Sequence, residues 1–138
     1  MSPESVGVAF LAAIRSGDGP AVWELLAPAA RSYVLDLGER IGVPAEVVGR
    51  MRIGTADEAD RMVFLGDVVA GLRVDFDRAD LDRLEVEVVE VTDETARVAL
   101  VQPIGDGFGP PMPPIPAAWL HLGPDRDGRP IERVQIVR

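Results

Sequence analysis

His121 is the only histidine among 138 residues, and the 23 carboxylates could exchange protons near neutral pH only where burial raises their pKa. It is therefore the one group whose ordinary titration falls near neutral pH. With a carboxylate to orient it, His121 could act as a general base. Trp119 shares its strand face and would wall an apolar substrate. The same spacing serves equally a histidine on the outer or dimer face of a sheet, satisfying a hydrogen bond. Tyr33, the only tyrosine, could donate to a ligand oxygen, or pack its ring and bond locally. Trp23, Met51, Met62 and Phe64, together with Trp119, are the large apolar side chains that would line a ligand pocket; otherwise they are core.

Other chemistries are excluded by what the chain lacks. There is no cysteine, hence no disulfide, thiolate nucleophile or cysteine-bound zinc. All 14 basic residues are arginine, and lysine and asparagine are absent, so Schiff-base and P-loop lysines are unavailable. The acidic run Asp75, Asp77, Asp80, Asp82 has neither the spacing nor the glycine of a calcium loop. Arg73, Arg78 and Arg83 interleave with it and predict self-paired surface charge. Asp125-Arg126-Asp127-Gly128 begins like such a loop but lacks a closing glutamate, and reads as a hairpin turn. No metal and no cofactor are expected. The net charge of −9 repels phosphate backbones and argues against a nucleic-acid partner. No apolar stretch approaches the roughly 20 residues of a membrane span, and the first residues lack the basic start and apolar run of a signal peptide. The expected setting is cytoplasmic, with no membrane partner.

The elements that must position these residues follow from periodicity. At 138 residues and 47% hydrophobic content, the chain fits one domain, residues 1–138, with a proper core. Ser2 and Pro3 start a first helix that Gly17 ends. A short second helix carries Val22, Trp23, Leu25 and Leu26. Pro28 opens a third, closed by Gly38, and Pro44 to Arg52 form a fourth. Thr55-Ala56-Asp57-Glu58 reads as a capping box before a helix weakened near Gly66. Arg73 to Arg83 reads as loop with a turn of helix. Leu84 to Gln102 alternates with period two around Thr92-Asp93-Glu94-Thr95, which predicts a half-buried antiparallel hairpin. Its valines 89, 91 and 101 fall out of phase with the inward set and predict an isologous dimer contact. Pro103 to Pro116 is too proline-rich for a central strand; Gly109 to Pro116 reads as a stiff connection, or as a lid or partner surface. A second hairpin, 117–123 with 131–137, completes the sheet.

Phe10-Leu11-Ala12-Ala13-Ile14-Arg15-Ser16-Gly17-Asp18, then Val22-Trp23-Glu24-Leu25-Leu26-Ala27-Pro28, resembles the opening of the cone-shaped α+β superfamily of ketosteroid isomerase, scytalone dehydratase, small polyketide cyclases and nuclear transport factor 2. Ala118-Trp119-Leu120-His121-Leu122 and Ile131 to Ile136 are similar to its last two strands. The resemblance implies an α+β fold: N-terminal helices packed on a strongly curved, mainly antiparallel sheet, cone-like, with an internal apolar pocket. It implies no reaction. Where ketosteroid isomerase has its tyrosine, general-base aspartate and second acid, this chain has Phe10, a position near Val34, and Ala117 or Ala118. The Asp-Arg-Asp arrangement of related epoxide hydrolases has no counterpart. Three readings follow: a homodimeric protein that binds a small apolar molecule without transforming it; an isomerase, cyclase, dehydratase or hydrolase using His121 with a carboxylate; or a dimerisation module.

Overall fold

The computed structural model describes residues 1–76, 80–103 and 113–137. Among them are five α-helices followed by a four-stranded antiparallel sheet: α1 (Pro3–Ser16), α2 (Gly19–Leu25), α3 (Pro28–Arg40), α4 (Ala45–Ile53), α5 (Glu58–Asp75), β1 (Glu85–Val91), β2 (Ala96–Gln102), β3 (Ile115–Leu122) and β4 (Ile131–Ile136). The fold class is α+β. The strand order is β1-β2-β3-β4, and β1 does not pair with β4, so the sheet is open.

Local chemistry starts and stops the helices. The Ser5 N–H donates to Ser2 Oγ at 3.1 Å, Pro3 occupies the first helical position, and Gly17 ends α1 at φ 70°. Asp18 caps α2 by accepting from the Ala21 N–H at 3.1 Å. Two of the expected boundaries differ. Gly38 does not close α3, which runs to Arg40. It is buried, and a Cβ there would lie 2.8 Å from the Phe64 ring; the glycine admits a neighbour rather than ending a helix. Thr55 does not cap α5 either. Its N–H is held by the Arg50 carbonyl at the end of α4, and Asp57 takes the role by accepting from the Asp60 N–H at 2.8 Å. The helix then continues through Gly66 to Asp75. The expected loop from Arg73 is thus helix up to Asp75, followed by a 3-10 turn at Leu81–Arg83; Asp77 and Arg78 lie outside the described residues.

The core lies between the helices and one face of the sheet. Phe10, Ile14, Phe64, Leu65, Leu100, Leu120, Leu122 and Ile131 are fully buried there, and each large side chain so removed from water contributes about 1.5–3 kcal/mol. α1 crosses β1 and β2, while α3 packs on β4. Arg15 ties α1 to the start of the sheet, donating to the carbonyls of Leu81 at 2.9 Å and Leu84 at 2.8 Å.

Both expected hairpins are present. Thr92 and Thr95 close the first turn through the Thr92 N–H bond to the Thr95 carbonyl, 2.7 Å. Asp125–Asp127 forms a 3-10 turn in the second, with Gly128 in the left-handed region. The burial differs from a half-buried pair. β1 is an edge strand exposed along most of its length, whereas β2 is buried on both faces. Val101 is 4% exposed, so it offers nothing to a partner. Val91 pairs with Ala96 in the row that faces the helices, and Val89 sits at a register shift. The three valines therefore do not share one surface. Pro116 does enter a central strand, against expectation. It lies where the β2–β3 register shifts, and β4 pairing begins only beyond it, so its missing N–H leaves no ladder bond unmade. The remainder of the proline stretch, residues 104–112, lies outside the described residues.

Candidate functional site

α3 is a wall between two hollows. Its residues Ala30, Tyr33, Val34, Leu37 and Gly38, spaced as one helical stripe, with Ile41 just past its end, line a hollow of about 730 Å³. Pro28, Arg31, Ser32 and Leu35, on the opposite stripe, line a second.

The larger hollow is floored by Phe10, Val22 and Leu26, and closed by Phe64, Val68 and Leu72 of α5 and by Val134 and Ile136 of β4. Its wall is therefore mainly hydrocarbon. Polar groups stand at exposed positions: Tyr33 on α3, Asp67 and Asp75 on α5, and Glu132 on β4. The α5 contributors, 67, 68, 71, 72 and 75, again follow helical spacing. Gly71 among them leaves room where a larger side chain would intrude. An apolar wall with a few polar groups at the mouth is the usual make-up of a small-molecule site.

The six apolar candidates are divided by this geometry. Tyr33 and Phe64 face the larger hollow. Trp23 and Met51 line the second one, with Trp23 packed edge-on to Phe64 at a ring-centroid distance of 6.0 Å. Met62 lines neither and is 57% exposed on α5. Trp119 lies on the sheet face away from the helices, beneath the Arg97 guanidinium at 4.9 Å.

His121 shares that outer face. Leu120 and Leu122 on either side of it are buried among the helices, so the alternation of the strand turns His121 outward. Its Nε2 lies 3.0 Å from Gln135 Oε1, and across the ladder it neighbours Arg97 and Arg133. The imidazole is thus hydrogen-bonded on the face opposite the hollow. Asp67 and Glu132 are the mouth residues that periodicity did not single out. Charged side chains on exposed faces carry no sequence signal of what they overhang.

Beside the second hollow, Arg50 clamps α4 to α5. Its Nε and Nη2 donate to the two Asp60 carboxylate oxygens at 2.6 and 3.0 Å. The hydrogen bonds from Arg50 hold the Asp60 carboxyl below the usual aspartate range, and the same bonds raise Arg50. At the far end of the sheet Arg126 of one hairpin turn pairs with Glu94 of the other, lowering Glu94 in the same way. Among the described residues no three His, Asp or Glu side chains come together as a metal site, and no helix is long and apolar enough to cross a membrane. No protein-family model, curated protein or solved structure matches the chain.

Proposed function

We propose that the chain binds a small apolar molecule without transforming it, in a pocket of a cone-like, ketosteroid-isomerase-type fold, as a cytoplasmic homodimer that needs no cofactor. The observation that carries this reading is the hydrocarbon-walled hollow between α3, α5 and β4. At about 730 Å³ it falls within the roughly 300–1,000 Å³ of small-molecule sites. The enzyme alternative has less support, because a base at His121 would act on the opposite face of the sheet from that hollow. A dimerisation module would need no such hollow at all.

The neutral dye Nile red tests the reading. It is expected to bind saturably, one molecule per chain, with emission shifted to the blue. Leu37 lines the hollow and is 40% exposed, so Leu37→Arg places a charge in the wall at little cost to folding. This variant is expected to weaken dye binding by about tenfold or more. Non-saturable binding, or equal binding by Leu37→Arg, would remove the hollow from consideration as the site.

A further inference from the structure

The second hollow, about 520 Å³, has a charge opposite to that of the chain. The chain carries −9, yet Arg31, Arg52 and Arg61 line this hollow and, among the described residues, no Asp or Glu does. Its apolar wall is Trp23, Leu35 and Met51. Three helices supply the arginines: the first turns of α3, the last turn of α4 and the first turn of α5.

Two of the three are held in place. Arg31 lies 5.3 Å above the Trp23 ring and donates from Nε to the Trp23 carbonyl at 3.1 Å. Its Nη2 is 3.9 Å from Glu24. Arg52 is anchored by Asp36, with Glu39 at 3.8 Å. These acids pull from outside the hollow. Arg61 is exposed, and among the described residues its side chain has no ion-pair or hydrogen-bond partner. The carboxylate nearest in sequence, Asp60, is engaged by Arg50. Like charges facing one space repel, and an anion entering that space would relieve the repulsion. Guanidinium groups are suited to planar oxyanions through paired N–H donors.

We propose that this hollow binds a small organic anion, a carboxylate or phosphate carried on a flat apolar body. The oxyanion sits on the arginines and the body lies against Trp23 and Met51. This site is separate from the apolar hollow across α3 and does not depend on it.

The test uses Trp119→Phe, which leaves Trp23 as the only tryptophan of the two and the fluorescent reporter. Benzoate, phenyl phosphate, neutral benzamide and inorganic phosphate are titrated. Saturable quenching by benzoate, phenyl phosphate or both is expected, with benzamide weaker by about tenfold or more. A response to one anion alone assigns the class to carboxylates or phosphates. Arg61→Glu in the same background is expected to weaken anion binding at least about tenfold, while Arg61→Lys retains most of it; unchanged far-UV circular dichroism shows that both fold. No quenching by either anion, benzamide binding as tightly, or wild-type affinity in Arg61→Glu overturns the proposal. Inorganic phosphate binding as tightly as phenyl phosphate removes the role of the apolar wall and overturns it as stated.

Discussion

Asp60 shows how a single side chain sets a pH dependence. Its carboxylate receives two hydrogen bonds from Arg50, and these depress its pKa in the folded state. A group whose folded pKa lies below its unfolded value stabilises the fold above the unfolded value, about 3.9 for aspartate. That contribution is lost as pH falls through the folded pKa. Asp60→Asn is therefore expected to lower stability at pH 7, with the gap from the parent protein narrowing below about pH 4 and closing in stronger acid. Urea unfolding of both proteins across this range is the measurement, and a gap independent of pH would show that the pair is not its source. Arg50 is raised by the same contact but stays charged throughout, so it adds no window of its own. Glu94 is lowered in the same direction by Arg126; comparing the variant with its parent cancels it. The pair is partly solvated, so high salt is expected to reduce the gap.

Glycine exposes what was and was not legible in the elements. The caps of α1 were readable because Ser2, Pro3 and Gly17 act within a few residues of the backbone groups they satisfy. Gly38 was misread as a stop because its role is tertiary: it makes room for Phe64, 26 positions away in the chain. Pro116 was misplaced because a register shift, invisible in one strand's sequence, admits it. For the same reason periodicity gave Trp23 and Phe64 as inward-facing without showing that α3 would send them to different hollows. The arginines of the second hollow come from three helices and leave no local pattern. Gly19 and Gly66 turn this distinction into opposite predictions. A Cβ at Gly19 would lie 2.6 Å from the Leu65 carbonyl oxygen, so α2 and α5 must separate. Gly19→Ala is expected to cost about 1–3 kcal/mol. Gly66 is exposed within α5, and a Cβ there meets nothing within 4 Å. Gly66→Ala is expected to stabilise by about 0.5–1 kcal/mol through helix propensity and a less flexible unfolded chain. Denaturation midpoints should move in opposite directions; equal shifts would mean that the α2–α5 contact yields freely.

At the scale of the whole molecule, the outer face of the sheet is where the proposed homodimer would form. The pairing places Glu85, Glu87 and Glu90 on this face along β1, opposite Val101, Ala99 and Arg97. Trp119 and His121 follow on β3, beside Ala99 and Arg97, and Gln135 and Arg133 on β4. One margin is thus acidic, Arg97 lies beside it on β2, and the other margin carries Arg133. A two-fold axis near Trp119 would lay the acidic margin of each copy over the Arg133 margin of the other, and an isologous contact needs such self-complementarity. Light scattering at micromolar concentration is expected to give twice the 14.8 kDa chain mass. Glu87→Arg with Glu90→Arg puts like charge on both margins and is expected to give the single-chain mass. Arg133→Glu, whose side chain has no partner among the described residues, is expected to weaken self-association too. Mixing these two variants should restore a one-to-one heterodimer, because each supplies the charge that the other lost. A parent protein at 14.8 kDa, or variants that stay apart when mixed, would rule out this face as the contact.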